Sequence, residues 1–557
     1  MNNLEKLFLN TRQVGSGYKW TTLQHNGVLF PTAYEPHNIP MTYDGNNVEL
    51  TDLQEEAAML YAKYMGTDYI LNKTFNKNFW NDWKKILGKD HIIQIFDKCD
   101  FTTYHHKIIN DKELQKNILI NSEETNTPDQ LELESAMSRI NFGISVKEEE
   151  KYKTAIVDGK IQPVGNYRME PPGIFLGRGD NPKIGKLKAR ILPEDVTINI
   201  GKEAVVPKTL DGHSWGKIIH DRHVEWLASW KDSITGKTKY LWLGQHSDFK
   251  ATSDREKFDL ARKLKRKIDT IREENNKNLL EEDIKLKQIA TAFYFIDNFA
   301  LRVGNEKGSD EADTVGVTSL RIEHVDLLEN NIIALDFLGK DSVRYYNKLQ
   351  VNEIVYKNIK EFIKDKTKND DVFDFINSND INKYLQKFMN NLTAKVFRTY
   401  NASYLFYKEL KKISRKYEGT TDINIFIDEI NKANGKVAQL CNHQKNVGKS
   451  FKGTIDKIDL QIKKIKSKLR KAKNSSGETK NIRVLNLSNK LNKLKVKKEL
   501  KQETKNISLG TSKANYIDPR IPFSFAKKHS IPLDKIFSKT LQQKFQWALD
   551  VDADFKF

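Results

Sequence analysis

The spacing of apolar residues changes several times along the chain and predicts several separate structural regions. Near the N-terminus, short stretches of alternating apolar and polar residues indicate strands, and LQEEAAMLYAKYMG indicates an amphipathic helix. The apolar residues of that helix recur every three or four positions: Leu53, Ala57, Leu60 and Tyr64. Gly66 is the residue at which this helix is expected to stop.

The next region is poor in apolar anchors. Residues 110–165 are mostly polar, so we predict loops and a frayed helix there, with an exposed insertion at about 145–165. The double proline and the glycines of MEPPGIFLGRGDNPKIGK forbid a long helix and predict turns and short strands. In EWLASWKDSITGKTKYLWLG, two β-rich runs surround a glycine-containing turn and predict a hairpin.

A helical period begins at about residue 254. REKFDLARKLKRKIDTIREEN predicts a helix over 254–276 with one apolar and one basic face. LKQIATAFYFIDNFALRVG predicts a second, largely buried helix that ends at Gly304. Further on, NIIALDFL and VRYYNKL predict two strands joined by a tight turn at GKDS, and two helical stretches are expected at about 380–396 and 421–440.

Residues 454–500 carry one narrow apolar stripe in a lysine-rich background. The stripe advances by three and four residues in both halves of the region: Ile455, Ile458, Ile462, Ile465, Leu469 and Ala472, and after NSSGE Val484, Leu487, Leu491 and Leu494. This pattern predicts two helices zipped along one seam as an antiparallel hairpin that projects from the body. A disordered basic tether is the alternative.

The composition of the chain indicates the class of partner that it binds and the cellular compartment in which it works. The chain has 557 residues and a formal net charge of +19, from 93 Lys and Arg against 74 Asp and Glu. The length allows several domains, and the charge indicates a polyanionic partner such as nucleic acid, with solubility alone as the alternative. Cys99 and Cys441 are too few for a disulfide framework and lack metal-ligand spacing, which favours a reducing intracellular compartment without a metal site. No apolar run is long enough to span a bilayer, so no membrane partner is expected.

A tyrosine near the C-terminus is the first candidate for chemistry. Tyr516 lies in LGTSKANYIDPRI among small or hydrogen-bonding residues. Docking of the tail onto a core is the ordinary role of such a residue. A role as nucleophile requires partners elsewhere in the chain that stabilise negative charge.

Four other residues offer such partners, each weakly by itself. Arg302 is predicted at the end of a buried helix, where it must pair with an acid such as Glu306 or meet a ligand. Lys340 is predicted at an exposed hairpin tip, where it could enter a DNA groove and donate a proton. Arg398 follows a helical run and His443 lies in LCNHQK. A surface ion pair and an ordinary hydrogen-bonded histidine are the alternatives for these two.

Together the five residues match the needs of phosphoryl transfer. The transition state concentrates charge on non-bridging oxygens, which positioned cationic donors stabilise, and nearby arginines favour a phenolate. The sequence offers neither a carboxylate cluster for a two-metal site nor a Walker-type loop. We therefore expect chemistry without metal or ATP, in which a covalent phosphotyrosine conserves the energy of the broken bond.

The chain also resembles a known family, the eukaryotic-type DNA topoisomerase I, which is a type IB topoisomerase. The resemblance extends from about Tyr18 to Phe557. The stretches that carry it are YKW, MEPPGIFLGRGDNPKIGKLK, FIDNFALRVGNEK, ADTVGVTSLRIEHVDL, DFLGKDSVRYYNK, LTAKVFRTYNAS, CNHQ and LGTSKANYIDPRI.

The resemblance implies an α+β, multidomain fold arranged as a bilobed DNA clamp. A mixed α/β cap lobe and DNA-binding core would cover residues 1–246, with a helical and β subdomain inserted at about 42–142. A mainly helical catalytic core subdomain would cover 247–446. An antiparallel coiled-coil linker would follow at 447–505, and a small helical C-terminal domain with the tyrosine at 506–557.

The resemblance also implies an activity and a role for each candidate. The family relaxes supercoiled duplex DNA by transient single-strand cleavage and religation through a 3′-phosphotyrosine, with controlled strand rotation. No cofactor is required, although a divalent cation could stimulate. Tyr516 would be the nucleophile, Arg302, Arg398 and His443 would hold the non-bridging oxygens, and Lys340 would be the general acid for the 5′-oxygen.

Further residues match DNA-contacting positions of the family. They are Arg178, Lys183, Lys186, Asp341, Arg344, Lys395, Thr511, Lys513 and Asn515. Arg178, Asp341 and Asn515 match contacts of camptothecin-class inhibitors, so sensitivity to that class is expected. Binding should tolerate any DNA sequence, and the protein should act as a monomer.

The chain departs from the family pattern in three places. Relatives carry a long charged N-terminal region with nuclear-import signals, whereas this chain begins close to the core. The nucleus is the implied compartment, with the cytoplasm, a viral replication compartment or a virion as alternatives. The short linker and the expected insertion at about 145–165 also depart, which suggests a streamlined relative from a compact or viral genome.

Two other functions remain open at this point. A tyrosine recombinase uses a similar set of residues, but it needs sequence-specific arm contacts and a synaptic tetramer, and the linker and cap argue against it. A non-catalytic DNA-binding or architectural protein that kept the clamp is the second. The presence of all five candidate catalytic residues argues against that function.

Overall fold

The structure of the chain is a computed structural model that describes residues 17–122, 145–305, 307–308, 311–420, 422–443, 451–474, 480–503 and 505–557. The chain divides into two compact units. The first comprises Met1–Lys250 and Gly308–Ala312, and the second comprises Ala251–Lys307 and Asp313–Phe557. Helices and mainly antiparallel sheets are both abundant, which confirms the predicted mixture of α and β structure.

The strands and helices have the following bounds within the described residues. The strands are β1 Leu23–His25, β2 Met41–Tyr43, β3 Asn46–Val48, β4 Cys99–Asp100, β5 Thr154–Val157, β6 Lys160–Gly165, β7 Gly173–Ile174, β8 Leu187–Lys188, β9 Thr197–Asn199, β10 Lys217–Ile219, β11 Ala228–Lys231, β12 Thr238–Leu243, β13 Val325–Leu328, β14 Ile332–Leu338 and β15 Arg344–Gln350. The helices are α1 Asp52–Ala62, α2 Lys73–Leu87, α3 Thr102–Ser122, α4 Val146–Glu149, α5 Asp248–Lys265, α6 Ile268–Asn278, α7 Ile284–Phe299, α8 Glu353–Phe362, α9 Ser378–Gln386, α10 Ala394–Lys416, α11 Ile423–Leu440, α12 Phe451–Lys473, α13 Lys480–Glu503, α14 Leu509–Asn515, α15 Arg520–Lys528 and α16 Lys539–Lys544.

A seven-stranded sheet dominates the first unit, in the order β1-β5-β6-β12-β11-β9-β10. Its neighbours pair antiparallel except for β9 and β10, which are parallel. The predicted hairpin is confirmed as β11 and β12. Alternate residues of the strands are buried on one face, which is the pattern of a sheet that covers a core on one side.

The expected exposed insertion at about 145–165 is wrong, because β5 and β6 are central strands of this sheet. Asp158 and Gly159 both have positive φ, 49° and 76°, as the tight turn of a two-residue hairpin requires. Ala155 and Val157 are buried on one side of the turn, and Val164 is buried on the other. The Asp-Gly pair was the sequence signal for this hairpin. Residues 123–144, which the predicted loops also included, lie outside the described residues.

The predicted first helix is present as α1, and the predicted apolar face packs against a core of the first unit except at Leu53. Gln54 accepts a hydrogen bond from the Thr51 backbone N–H at 2.9 Å and so caps the start of the helix. Leu53 is 69% exposed, whereas Ala58 and Tyr61 are buried. Ala57 is also buried, and Leu60 and Tyr64 are partly buried against the same core, so Leu53 is the one predicted position that lies outside it.

Two helices replace the single helix expected over 254–276. The break lies at Arg266 and Lys267, whose backbone N–H groups bond to carbonyls three residues back instead of four. The apolar stripe nevertheless continues across the break and is buried in the core of the second unit: Phe258, Ala261, Leu264, Ile268 and Ile271.

The stretch expected to be helical over 380–396 is also divided. α9 ends at Gln386, and α10 begins at Ala394 and runs to Lys416. Between them Asn391 has a φ of 62°, a left-handed conformation that a helix cannot contain. The length of α10 was not predicted, and the expectation that Arg398 follows a helix is wrong, since it lies within α10.

The lysine-rich region forms two helices with the predicted seam. Ile455, Ile458 and Ile465 on α12 are buried, as is Leu491 on α13. Lys498, near the end of α13, pairs with Asp459, near the start of α12, at 2.7 Å. Among the described residues, no helix is both long and apolar enough to cross a membrane.

Candidate active site

The backbone after α7 brings Arg302 to the site. α7 ends at Phe299, and Ala300 then adopts a left-handed conformation with a φ of 50°. The helix therefore ends before Gly304, which corrects the predicted boundary, and Arg302 lies in a segment without helix or strand. The Arg302 carbonyl accepts a hydrogen bond from the Val317 N–H at 2.9 Å, which fixes the position of this segment.

Two glycines allow that segment to approach its neighbour closely. A Cβ atom on Gly316 would lie 2.4 Å from the Gly304 Cα and 2.9 Å from the Arg302 carbonyl oxygen. No side chain fits at such distances without a backbone shift. The position of Arg302 thus depends on the absence of a side chain at Gly316.

We expect Gly316→Ala to destabilise the second unit by about 1–3 kcal/mol, the usual cost of overpacking a rigid site. Denaturant unfolding measures the change. Gly453→Ala is the matched control, because Gly453 lies in α12 and an added Cβ would meet nothing within 4 Å. A Gly316→Ala protein as stable as the control would contradict the close packing described for Arg302.

Arg398 joins the ends of two helices. It lies early in α10, and its guanidinium donates hydrogen bonds to the carbonyls of Ala300, just after α7, and Cys441, just after α11. A positive charge at helix C-termini is favourable because the terminal carbonyls carry partial negative charge. The Nε–H of Arg398 is buried and has no hydrogen-bond partner among the described atoms.

Tyr516 directly follows α14 and is in contact with both arginines. Its hydroxyl accepts a hydrogen bond from Nη1 of Arg302 at 3.3 Å, and the guanidinium carbon of Arg398 lies 5.2 Å from the ring centroid. The ring is 5.0 Å from the His443 ring, centroid to centroid. Burial by itself raises the pKa of the Tyr516 phenol, but the charges of Arg398 and Arg302 outweigh burial, so the pKa falls below its usual value.

A buried serine holds the backbone of the tyrosine. The Ser403 hydroxyl, on α10, donates to the Tyr516 carbonyl at 2.9 Å and accepts from the Asp518 N–H at 2.9 Å. Asp518 in turn accepts from the Arg520 side chain, which also binds Asp259 at 2.7 Å. Sequence reasoning missed Ser403, because only the fold brings α10 against the tyrosine. Its presence in LTAKVFRTYNAS, beside Arg398, was the one available hint.

His443 is held by the segment that carries the tyrosine. Its Nδ1 atom lies 2.8 Å from the Ser512 hydroxyl, and its carbonyl accepts from the Ser508 N–H at 2.6 Å. Burial, with the charges of Arg398 and Arg302, lowers the pKa of His443 to about 3. The imidazole is therefore neutral at physiological pH. Nε2 is buried without a hydrogen-bond partner among the described atoms.

One cavity of about 130 Å³ brings most of the candidates together. Its polar lining includes Arg302, Lys340, Asp341, Arg398, Asn442, His443 and Thr511. In the described part of the chain, neither Arg302 nor Arg398 forms an ion pair with a carboxylate. Glu306, the acid considered as a partner for Arg302, lies outside the described residues. Two uncompensated guanidinium groups and buried orphan nitrogens are suited to bind an anion such as phosphate.

The predicted strand–turn–strand is confirmed as β14 and β15, and Lys340 lies exposed at its tip. Asp341 is also at the tip, with a φ of 67°. Arg344 donates to both oxygens of Asp336 on the neighbouring strand, at 2.7 and 2.5 Å. That bidentate pair partly neutralises Arg344, so it presents less free charge than Lys340 does.

Three candidates lie on the short helix before Tyr516, and one lies at the start of α10. Thr511 lines the cavity, and exposed Asn515 donates to the Thr511 carbonyl at 3.3 Å. Lys513 donates to the Ile536 carbonyl at 3.0 Å, and burial lowers the pKa of its ammonium to about 8. Lys395 is exposed in the first turn of α10. Of the four, only Thr511 lines the cavity.

The remaining predicted contacts belong to the first unit. Arg178, Lys183 and Lys186 lie in the loop between β7 and β8. The Lys186 N–H bonds to the Lys183 carbonyl at 3.1 Å, so the loop turns back on itself there. Arg178 is exposed, and both lysines are half-buried. Contact of these side chains with DNA stays a prediction.

Comparisons with known proteins find the same family along nearly the whole chain. The sequence profile of the DNA-binding fragment of eukaryotic DNA topoisomerase I matches residues 18–243, that of its catalytic core matches 246–476, and that of the C-terminal topoisomerase domain matches 488–557. The chain is 42% identical to DNA topoisomerase 1 alpha of Arabidopsis thaliana over 97% of its own length, and it spans 59% of that relative. It is 39% identical to DNA topoisomerase 1 of Homo sapiens over 97% of its length and spans 72% of that protein. The chain therefore belongs to the eukaryotic DNA topoisomerase I family.

Proposed function

We propose that this chain relaxes supercoiled duplex DNA as a type IB topoisomerase, an ATP-independent isomerase. The observation that carries the proposal is the contact of the Tyr516 hydroxyl with Arg302, beside Arg398 and a neutral His443. A phenol with a lowered pKa next to an anion-binding cavity is suited to attack a phosphodiester. Family membership and the net charge of +19 support duplex DNA as the partner.

The proposed cleavage step exchanges one phosphoester for another. The Tyr516 oxygen loses its proton to solvent and forms a bond to phosphorus, and the bond from phosphorus to the 5′-oxygen breaks. Lys340, at an exposed tip that lines the cavity, protonates the departing 5′-oxygen. Religation is the reverse reaction, so it needs no ATP.

The cationic groups act on the charge that develops at phosphorus. Arg302, Arg398 and His443 would hold the non-bridging oxygens, where donors fixed in advance stabilise the transition state most. The Arg398 Nε–H and the His443 Nε2 are buried without partners, which is costly unless a ligand satisfies them. A bound phosphate would supply the missing acceptors.

The remaining family properties are proposals for this chain. Between cleavage and religation the cut end of the DNA would rotate. The lysine-rich helices α12 and α13 would slow this rotation through their charge. These two helices would form the coiled-coil linker of a DNA clamp with the four predicted domains. Five further properties stay predictions: DNA contacts by the nine further residues, action as a monomer, activity without a required cofactor, nuclear localisation and sensitivity to camptothecin-class inhibitors.

Relaxation of a negatively supercoiled plasmid in EDTA, without ATP and without any recombination site, tests the proposal. We expect a ladder of topoisomers that converges on relaxed DNA, with many turnovers per protein molecule. DNA binding without relaxation would indicate a non-catalytic binding protein. Products of strand exchange, or a requirement for a specific site, would indicate a tyrosine recombinase instead.

A further inference from the structure

His443 and Tyr516 are both positioned by one short helix. Ser512 lies within α14, and Tyr516 follows the end of that helix. The Ser512 hydroxyl is 2.8 Å from Nδ1 of His443, and the Ser508 N–H, just before α14, binds the His443 carbonyl at 2.6 Å. The histidine precedes the lysine-rich hairpin in sequence, and the serines follow it. The two bonds therefore join the segments on either side of the hairpin.

The direction of the Ser512 bond decides what the histidine can do. A neutral imidazole carries one N–H and one lone pair, so a hydrogen bond at Nδ1 determines the state of Nε2. If the serine donates to Nδ1, the proton lies on Nε2. If Nδ1 donates to the serine, Nε2 presents a lone pair instead.

Burial of the serine favours donation to Nδ1. The Ser512 side chain is fully buried, and among the described residues Nδ1 of His443 is its hydrogen-bond partner. The opposite direction would leave the hydroxyl proton buried without an acceptor, which folded proteins avoid. It would also turn a lone pair toward any anion in the cavity.

We propose that Ser512 is a positioning residue that donates its hydroxyl proton to Nδ1 of His443 and so holds the histidine as its Nε2–H tautomer. The Nε2–H is then a donor for a non-bridging phosphate oxygen, and this second part rests on the proposed DNA-cleaving function. His443 is 5% exposed and its Nε2 lacks a partner, as expected of a donor kept for a ligand. A movement of α14 would therefore displace the Tyr516 nucleophile and at the same time break the Ser512 bond that holds the Nε2–H tautomer of His443.

The first test reads the tautomer in the protein without DNA. Nitrogen-15 NMR of histidine-labelled protein distinguishes a protonated from an unprotonated ring nitrogen, and comparison with His443→Gln identifies the His443 signals. We expect unprotonated Nδ1 and protonated Nε2 in the wild type, and a mixture of tautomers in Ser512→Ala. A proton on Nδ1 in the wild type would overturn the proposal, and so would a Ser512→Ala spectrum identical to that of the wild type.

The second test measures single-turnover cleavage of a duplex in which the released fragment of the cut strand, the one that begins with the free 5′-hydroxyl, is too short to remain bound. We expect Ser512→Ala to slow cleavage about five- to tenfold, the effect of one neutral hydrogen bond, and Ser512→Thr to retain most of the rate. Added to His443→Gln, Ser512→Ala should cause no further loss, because the serine acts through the histidine. Ser524→Ala is the matched control, since that buried hydroxyl donates to the Ala553 carbonyl at 2.8 Å.

The two tests separate failure of this inference from failure of the proposed function. Additive losses in the double variant, or a Ser512→Ala rate equal to that of Ser524→Ala, would overturn the role of the serine while cleavage by the wild type remained. A wild type that cleaves no DNA would overturn the proposed function, and the NMR result would still decide the role of Ser512.

Discussion

Tyr516→Phe is expected to abolish plasmid relaxation and covalent attachment to DNA while the protein still binds DNA. The substitution removes one oxygen atom, and with it the proposed nucleophile. The aromatic ring can keep its place beside His443 and Arg398, so stability should change by no more than about 1 kcal/mol, the worth of one hydrogen bond. Relaxation rate, adduct yield and DNA affinity at one fixed salt concentration measure the three properties.

Tyr400→Phe is the matched control for that variant. Tyr400 is a buried tyrosine on α10, stacked on Tyr404 with a centroid distance of 5.5 Å. Burial raises the pKa of its phenol to about 12, the opposite shift from that of Tyr516. The control should relax DNA as the wild type does. Relaxation by Tyr516→Phe within tenfold of the control would remove Tyr516 from the mechanism.

Arg398→Ala is expected to slow cleavage by about 100- to 1000-fold, the usual cost of removing one fixed donor to a charged transition state. It also removes a cation that lowers the pKa of Tyr516, so that pKa should rise. The rise of the cleavage rate with pH should therefore move to higher pH, because a larger fraction of the phenol stays protonated at each pH. Single-turnover cleavage across a pH series measures both effects.

Two further variants distinguish the effect of the Arg398 charge and geometry from a general effect of losing an arginine from α10. Arg398→Lys keeps the charge, but an ammonium cannot reproduce the planar fork that reaches the Ala300 and Cys441 carbonyls, so cleavage should remain slow. Arg415→Ala removes an exposed arginine from the same helix and should leave cleavage unchanged. If Arg398→Ala cleaved DNA as fast as Arg415→Ala, the proposed role of Arg398 would be wrong.

Sequence patterns were sufficient to predict those parts of the structure that depend on the spacing of residues close together in the chain. The seam of the lysine-rich hairpin was predicted because one residue in every three or four is apolar, and Ile455, Ile458 and Ile465 are buried as expected. The tip with Lys340 was predicted because GKDS lies between two β-rich runs. Both features are set by residues close together in the chain.

Elsewhere the boundaries depend on contacts between distant residues. α7 ends at Phe299 because Ala300 adopts a left-handed conformation, and alanine has no intrinsic preference for it. The Arg398 guanidinium binds the Ala300 carbonyl, 98 positions away in sequence, and helps to hold this conformation. No local pattern could have placed Arg302 in the irregular segment that follows.

Some residues of the candidate active site were predictable from the sequence, and others were not. The five candidate residues were found from their chemistry and from the family resemblance, and the structure brings Arg302, Arg398, His443 and Tyr516 together. Ser403 and Ser512 were not proposed, because a serine gains a positioning role only from the groups that the fold places around it. Both are fully buried and bond to the tyrosine backbone or the histidine ring.

The most direct test of the account is to identify the bond that joins protein and DNA in a trapped cleavage complex. Peptide mass spectrometry of the adduct reports the attached residue, and end-labelling of the released strand reports its chemistry. We expect a nucleotide joined through its 3′-phosphate to Tyr516, and a released strand with a free 5′-hydroxyl. Attachment to another residue, or through a 5′-phosphate, would contradict the proposed mechanism.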